Sequence, residues 1–294
     1  MATIREIKGR ITSTKSSEKI TGAMKMISSA KLRRAEGALR MMNPYRNQLG
    51  AVISNLFSSD GDYPSPLTEV RSVSKFAFVV IGSEEGLCGA YNVYLFKKLL
   101  ERIEYVKATY GEECKITLYP LGKKMTGILS KMQGVEVKKS EYLTAKSDSS
   151  VIREFTDDLI SNYLSKTYDE VEIIYPRFKS MSSQPVETRT LLPIDSSRLS
   201  KEISEGESKH QNPYIYEPSK QEIFVSILPL FVRVDMQDAI YNGRASEQAA
   251  RVIAMQSASD NAKKLLEELQ LDYNKLRQQG ITNELLDIVG GSMH

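Results

Sequence analysis

AEGALRMMNPYRNQLGAVISNL, residues 35–56, carries apolar side chains at Ala35, Ala38, Met42, Tyr45, Leu49, Val52 and Leu56. The steps alternate between three and four, an average of about 3.5 residues, which is the period of a left-handed coiled-coil seam. Upstream, Ile4, Ile7 and Ile11 start the same stripe, and Ile20, Met24 and Ile27 resume it after a polar stretch. Gly9, Gly22, Gly37 and Gly50 each weaken such a helix by roughly 1 kcal/mol relative to Ala. Pro44 removes a backbone donor, which predicts a kink. A lone helix with these defects is marginal, so the pattern calls for a partner.

The partner pattern lies at the other end of the chain. From Tyr241, the same alternation runs through Ala245, Gln248, Val252, Met255, Ser259, Ala262, Leu266, Leu269, Tyr273 and Leu276. A shift follows, and Ile281, Leu285 and Ile288 close the stripe before Gly290 and Gly291 stop the helix. Small residues at many of these positions let two backbones approach closely. Because the two segments flank a domain in one chain, the expected pairing is antiparallel. Helices of about 50 residues span on the order of 75 Å, more than a compact domain of this size needs.

The middle of the chain has another rhythm. Phe76–Ile81 (FAFVVI) is a continuous apolar run, as in a strand buried on both faces. A glycine-bearing loop, Gly82–Gly89, leads into helical periodicity over Val93–Val106. Cys114–Tyr119 and Val135–Val137 read as further strands, Lys123–Lys131 and Ser150–Lys166 as helices, and Glu170–Pro176 with Glu187–Leu192 as a late hairpin. This alternation predicts a small Rossmann-like α/β domain with helices on both faces of a parallel or mixed sheet. The expected organisation is an N-terminal helix over 1–57, a linker over 58–74 and the α/β domain over 75–195. A second linker covers 196–218, and a C-terminal helix over 219–294 pairs with the first.

Charge is unevenly spread. The net charge of +3 implies no polyanion partner, yet residues 1–57 hold 11 Lys and Arg against 3 Asp and Glu. A basic helix of this kind fits nucleic acid or an acidic protein, although no aromatic residue precedes Tyr45 and no readout motif accompanies it. Chemistry-bearing patterns are sparse. The loop's G-x3-G-x2-G spacing misses the dinucleotide fingerprint, it lacks a P-loop Lys, and Glu84 and Glu85 would repel phosphate. His210 and His294 have no ligand partner at usable spacing. Asp157-Asp158 and Glu267-Glu268 read as solvated helix faces. Cys88 could be activated at a helix N-terminus, but no His accompanies it. Cys88 and Cys114 form no disulfide framework, and a reducing compartment fits them. No run of eighteen apolar residues occurs, and the N-terminus reads as mature protein with no targeting peptide.

Several blocks, taken in order, resemble the gamma subunit of F-type ATP synthases of bacterial type. They are Lys19–Ile27 (KITGAMKMI), Ala30–Ala35 (AKLRRA), Gly86-Leu87-Cys88-Gly89 with Asn92, and Tyr214-Ile215-Tyr216-Glu217-Pro218. The C-terminal blocks are Ala245–Arg251 (ASEQAAR), Asp260–Ala262, Tyr273–Lys275, Arg277-Gln278, Ile281-Thr282, Glu284 and Ile288–Gly291.

The resemblance implies a hetero-oligomer in which the paired end helices are a central shaft inside an alpha/beta hexamer. The α/β domain is then a foot that, with the epsilon subunit, sits on a membrane c-ring driven by protons or sodium ions. It implies no catalytic residue, cofactor or metal in this chain, no nucleic acid partner, and a peripheral place on the cytoplasmic face of the bacterial inner membrane. By the same resemblance, Met24 and Lys25 lie near the acidic lever of a catalytic subunit. Arg251, Arg277, Gln278, Thr282 and Glu284 match shaft positions that touch the hexamer. Gly86, Leu87, Cys88 and Gly89 lie by a catalytic subunit's lower domain, and Tyr214, Tyr216 and Glu217 lie toward the ring. Gln256 departs from the family, where a basic residue is common, and the chloroplast members' paired-cysteine insert is missing. Two other classes stay open on the residues alone: a stand-alone coiled-coil adaptor with a basic helix, and a small-molecule enzyme built on the α/β domain.

Overall fold

The computed structural model describes residues 3–58, 64–139, 144, 147–195 and 215–291. Its element order is α1 (Ile4–Ser58), β1 (Lys75–Ile81), α2 (Tyr91–Tyr110), β2 (Lys115–Leu121), α3 (Lys123–Leu129), β3 (Glu136–Val137), α4 (Ser149–Leu164), β4 (Glu170–Pro176), β5 (Val186–Leu192) and α5 (Lys220–Gly291). The chain divides into two compact units, one of Met1–Ala30 with Arg251–His294 and the other of Lys31–Ala250.

The larger unit is built on a five-stranded sheet of order β3-β2-β1-β4-β5. β1 pairs in parallel with β2 and β4, β2 in parallel with β3, and β5 closes an antiparallel hairpin with β4. β1 sits in the middle and is buried on both sides, as its unbroken apolar run requires. Side-chain alternation splits the core in two. Phe76, Phe78 and Val80 face α2 and α3, meeting Leu95, Leu99, Met125 and Leu129. Ala77, Val79 and Ile81 face the other way, into a core shared with Phe155 and Leu159 of α4, Ile53 and Leu56 of α1, and Phe224 and Phe231 of α5. The inner parts of both end helices therefore serve as core elements of the α/β unit.

Both long helices begin at a reciprocal side-chain cap. The Thr3 amide donates to Glu6 Oε2 at 2.8 Å while the Glu6 amide donates to Thr3 Oγ1 at 3.3 Å. At the start of α5, the Glu222 amide donates to Ser219 Oγ at 3.2 Å, and the Ser219 hydroxyl donates back to Glu222. Neither helix breaks at its proline, Pro44 in α1 or Pro229 in α5.

The two helices run antiparallel. In the larger unit, Phe57 stacks edge-on to Phe224 at 5.0 Å, Arg46 meets Asp235, and Leu32 and Leu39 cluster with Ala245 and Ala249. In the smaller unit, a Cβ on Gly280 would lie 3.8 Å from Ile4. Rising numbers on α1 meet falling numbers on α5.

The period expected for α1 is correct, but its phase needs correction in two places. Between Lys31 and Ser58 the buried large side chains are Leu32, Leu39, Leu49, Ile53 and Leu56, with Ala35, Met42 and Arg46 half-buried on the same stripe. Leu39 and Ile53 lie deeper than Ala38 and Val52, which are half-buried beside them, and Arg46 takes the place read as Tyr45, which is 49% exposed. In the smaller unit the covered side of α1 is largely polar: Ile7, Ile11, Thr14, Glu18, Thr21, Lys25 and Ser28. Ile20 and Ile27 point outward. On α5 the expected seam from Met255 through Ser259, Ala262, Leu266, Leu269, Tyr273 and Leu276 is the covered one.

Candidate functional site

The glycine loop after β1 is held by its own side chains. Asn92 Oδ1 accepts from the Ser83 amide at 3.1 Å, and Asn92 Nδ2 donates to Ser83 Oγ at 2.7 Å. Glu84 is turned toward α3, where it accepts from the Lys123 amide at 3.4 Å and pairs with the Lys123 ammonium at 3.4 Å. The Glu84 amide in turn donates to Glu247 of α5 at 3.4 Å. Gly122, with φ of 88°, packs so closely on the Gly82 and Ser83 carbonyls that a Cβ there would sit 2.7 Å from both oxygens. The loop thus ties β1, α3 and α5 together, with the Ser83 and Glu84 amides already paired.

Cys88 is buried, with Asn92 Nδ2 3.8 Å from its sulfur, whereas neighbouring Leu87 is exposed. Leu87 adopts a φ of 62°, the left-handed region that a branched side chain seldom occupies. Of the four loop residues expected to face a partner, Leu87 and Gly89 lie outermost.

The remaining expected contact residues fall into three settings. Met24 and Lys25 are half-buried on α1. Arg251 is 2% exposed. Arg277, Gln278, Thr282 and Glu284 are exposed on the last turns of α5, with Thr282 Oγ1 donating to the Gln278 carbonyl at 2.9 Å. Tyr216 is half-buried with Lys220 Nζ 5.8 Å above its ring, Glu217 is exposed, and Tyr214 lies outside the described residues, as do His210 and His294.

Two features were not expected from the residues. The end of α5 carries a dense apolar surface: Ile281, Leu285, Leu286, Ile288 and Val289 are 50–68% exposed. A periodic reading finds three of the five but assigns them to a seam, whereas all five are at least half-exposed. The second feature is a set of buried charges inside the α/β unit. Arg102 makes a two-pronged contact with Glu172 at 2.9 and 2.6 Å. Burial pushes the Glu172 carboxyl above its ordinary range, and the Arg102 contact pulls it back only in part. Asp157, read as a solvated face, is partly exposed and accepts from Arg233 of α5 at 2.6 Å.

Among the described residues, no helix is long and apolar enough to cross a membrane, and no group of three His, Cys, Asp or Glu could hold a metal ion. Paired end helices around an α/β insert, with contact faces as their outstanding chemistry, define a stalk subunit of a larger assembly. A family model described as ATP synthase matches residues 3–293. The ATP synthase gamma chain of Bacteroides thetaiotaomicron is 40% identical over 301 residues, with all of both chains covered. That of Flavobacterium psychrophilum is 36% identical over 293 residues, covering 99% of this chain and 98% of the other. The fold matches a chain in the structure of Euglena gracilis mitochondrial ATP synthase (OSCP/F1/c-ring, rotational state 3) with a TM-score of 0.64. Identity there is 21%, and coverage is 99% of this chain and 93% of the other. It also matches one in the Tetrahymena thermophila mitochondrial ATP synthase central stalk and c-ring, with a TM-score of 0.58 and 21% identity over 82% of this chain and 99% of that one.

The chain belongs to the gamma chains of the ATP synthase family, non-catalytic subunits that form the central-stalk rotor. A stand-alone adaptor or a small-molecule enzyme finds no support among relatives that match over the full length.

Proposed function

We propose that this chain is the rotating shaft that couples turning of a membrane ring to the conformational cycle of catalytic subunits making ATP. Its partners are an alpha/beta hexamer around the helices, and an epsilon subunit and c-ring at the α/β domain. Its place is the cytoplasmic face of a bacterial inner membrane. One observation carries the reading: the apolar end of α5, which its own chain leaves exposed. A cluster of exposed apolar side chains on a helix end marks a surface that another chain covers.

The physics needs no active site on the shaft. A single asymmetric rod presents a different surface to each of three chemically identical catalytic subunits. It biases the conformational equilibrium of each by the difference in contact free energy between states. That difference is the coupling, and it works in both directions. Arg277, Gln278, Thr282 and Glu284 are the polar contacts with the hexamer at the α5 end, and Met24 and Lys25 meet the acidic lever. Leu87, held outward in its left-handed turn, leads the contact of the Gly86–Gly89 loop with a catalytic subunit's lower domain, while buried Cys88 props the loop from beneath. Arg251, also buried, acts from within the shaft. Tyr214, Tyr216 and Glu217 lie toward the ring.

Co-expression with the hexamer subunits from the same source tests the reading. The expected result is one copy per hexamer and an ATPase that is weak or unstable without this chain. Purification as a stable species with no affinity for the hexamer would refute it.

A further inference from the structure

A buried ionic knot joins the hairpin of the sheet to both end helices inside the larger unit. Arg46 of α1 donates from Nε to Asp235 Oδ1 of α5 at 2.8 Å and lies 3.7 Å from Asp238 Oδ2. Arg189 of β5 reaches the same two carboxylates at 2.9 and 3.1 Å and also donates to the Tyr175 hydroxyl of β4. Asn242 extends the knot, donating to Asp238 Oδ1 at 3.1 Å and accepting the Phe178 amide at 3.1 Å, where the chain leaves β4. The two cations balance the two anions, and the four side chains are 1–14% exposed.

Around this knot the helices meet the sheet through apolar side chains. Hydrophobic association is non-directional, so such a surface resists separation better than it resists sliding. A fork of charge-assisted hydrogen bonds behaves differently. Any slip of β5 along the helices lengthens several short contacts at once. An apolar residue at position 46 would complete the seam of α1, and buried ion pairs seldom surpass such a replacement in stability. What the arginine adds is a fixed register.

We propose that Arg46, Arg189, Asp235 and Asp238 form the torsional joint of the rotor, positioning residues that set how stiffly the α/β domain is locked to the paired helices. The inference rests on the rotor reading above: load that enters at the α/β domain and leaves along the helices crosses this knot.

The experiment uses the assembled complex with its hexamer fixed to a surface. A bead is attached through Glu112→Cys, whose native side chain is 81% exposed, while Cys88 and Cys114 are buried. The quantity read is the angular variance of the bead during catalytic pauses. Arg189→Met is expected to widen the variance by about twofold while stepping continues. Arg102→Met with Glu172→Gln removes a comparably buried pair between α2 and β4, away from the helix joint, and is expected to leave the variance at the wild-type value. Wild-type variance in Arg189→Met, or equal widening in the control, overturns the proposal. Should Arg189→Met not assemble, Arg189→Lys keeps the charge but loses the fork. Intermediate widening supports the joint, and wild-type width overturns it. A wild-type bead that does not turn overturns the rotor reading itself, and the joint with it.

Discussion

Ile81 of β1 lies so close to Gly243 of α5 that a Cβ on the glycine would sit 2.6 Å from Ile81 Cγ2. The Tyr91 hydroxyl donates to the Gly243 carbonyl at 3.2 Å in the same place, so the helix backbone itself touches the sheet layer. Gly37, by contrast, opens onto empty space. Alanine at position 243 gains up to about 1 kcal/mol of helix propensity and loses about 1–3 to overpacking, a net loss on the order of 1 kcal/mol. Gly37→Ala keeps the gain alone, up to about 1 kcal/mol. Denaturant unfolding of the two variants should show shifts of opposite sign, and shifts of the same sign would refute the contact.

Leu269 is the most covered large apolar side chain among the described residues of the smaller unit, with Ile7, Val252 and Met255 close behind. Leu269→Ala should cost about 2 kcal/mol, the low end for a buried leucine because the flanking positions are half-exposed. The loss should be local. Hydrogen exchange is expected to speed up in α1 before Ala30 and in α5 after Arg251, with β1 amides still protected. Equal loss of protection in β1 would contradict a separate unit.

Glu170 titrates in a setting that makes a signed prediction. Burial pushes its carboxyl above the ordinary value, and the hydroxyl of Tyr110 donates to it at 3.2 Å. Tyr110 is itself pushed up to about 12, by burial first and by the Glu170 charge second. A carboxyl whose folded pKa is raised holds its proton more tightly in the folded chain. Its contribution is complete below the unfolded pKa and is lost as pH rises through the folded pKa. Glu170→Gln should therefore gain stability relative to wild type as pH rises above about 4, the ordinary carboxyl value. A difference that is flat or falling across that window would be wrong for a raised pKa.

Removing residues 281–294 takes away the exposed apolar end of α5. Because that face is largely exposed among the described residues, circular dichroism should lose only the helix signal of the deleted residues. Affinity for the hexamer should fall by about tenfold or more, since each buried leucine or isoleucine lost is worth about that factor. Global unfolding after the truncation, or unaltered affinity, would each refute the assignment.

The strands of the sheet were legible because β1 reads as a single apolar run, and the turns between elements carry Gly, Pro and polar residues. The phase of α1 was not. A reading that looks for an apolar residue at each seam position steps from Arg46 to Tyr45, and then carries Ala38 and Val52 with it. The arginine belongs in the seam because Asp235 neutralises it, a fact held 189 residues away. Thr14, Glu18, Thr21 and Lys25 hid the seam further for the same lack of apolar signal. The start of α5 was equally hard to trace before Tyr241. From Phe224 to Ile240 it is covered on several sides at once, by the sheet, α1 and α4, so it shows no single stripe. Of the contact face, the resemblance supplied Arg277, Gln278, Thr282 and Glu284, and the period supplied Ile281, Leu285 and Ile288. That the apolar set faces outward required knowing which side of α5 the chain itself covers.

The antiparallel pairing also has a consequence for how the molecule is made. α1 leaves the ribosome before α5, yet Leu32 and Leu39 find their cover in Ala245 and Ala249, on the far side of all five strands in the sequence. One face of the sheet is in the same position, since Ala77, Val79 and Ile81 share their core with Phe224 and Phe231, which follow all five strands. The earliest helix and the sheet therefore both wait, an apolar side uncovered, for the latest helix.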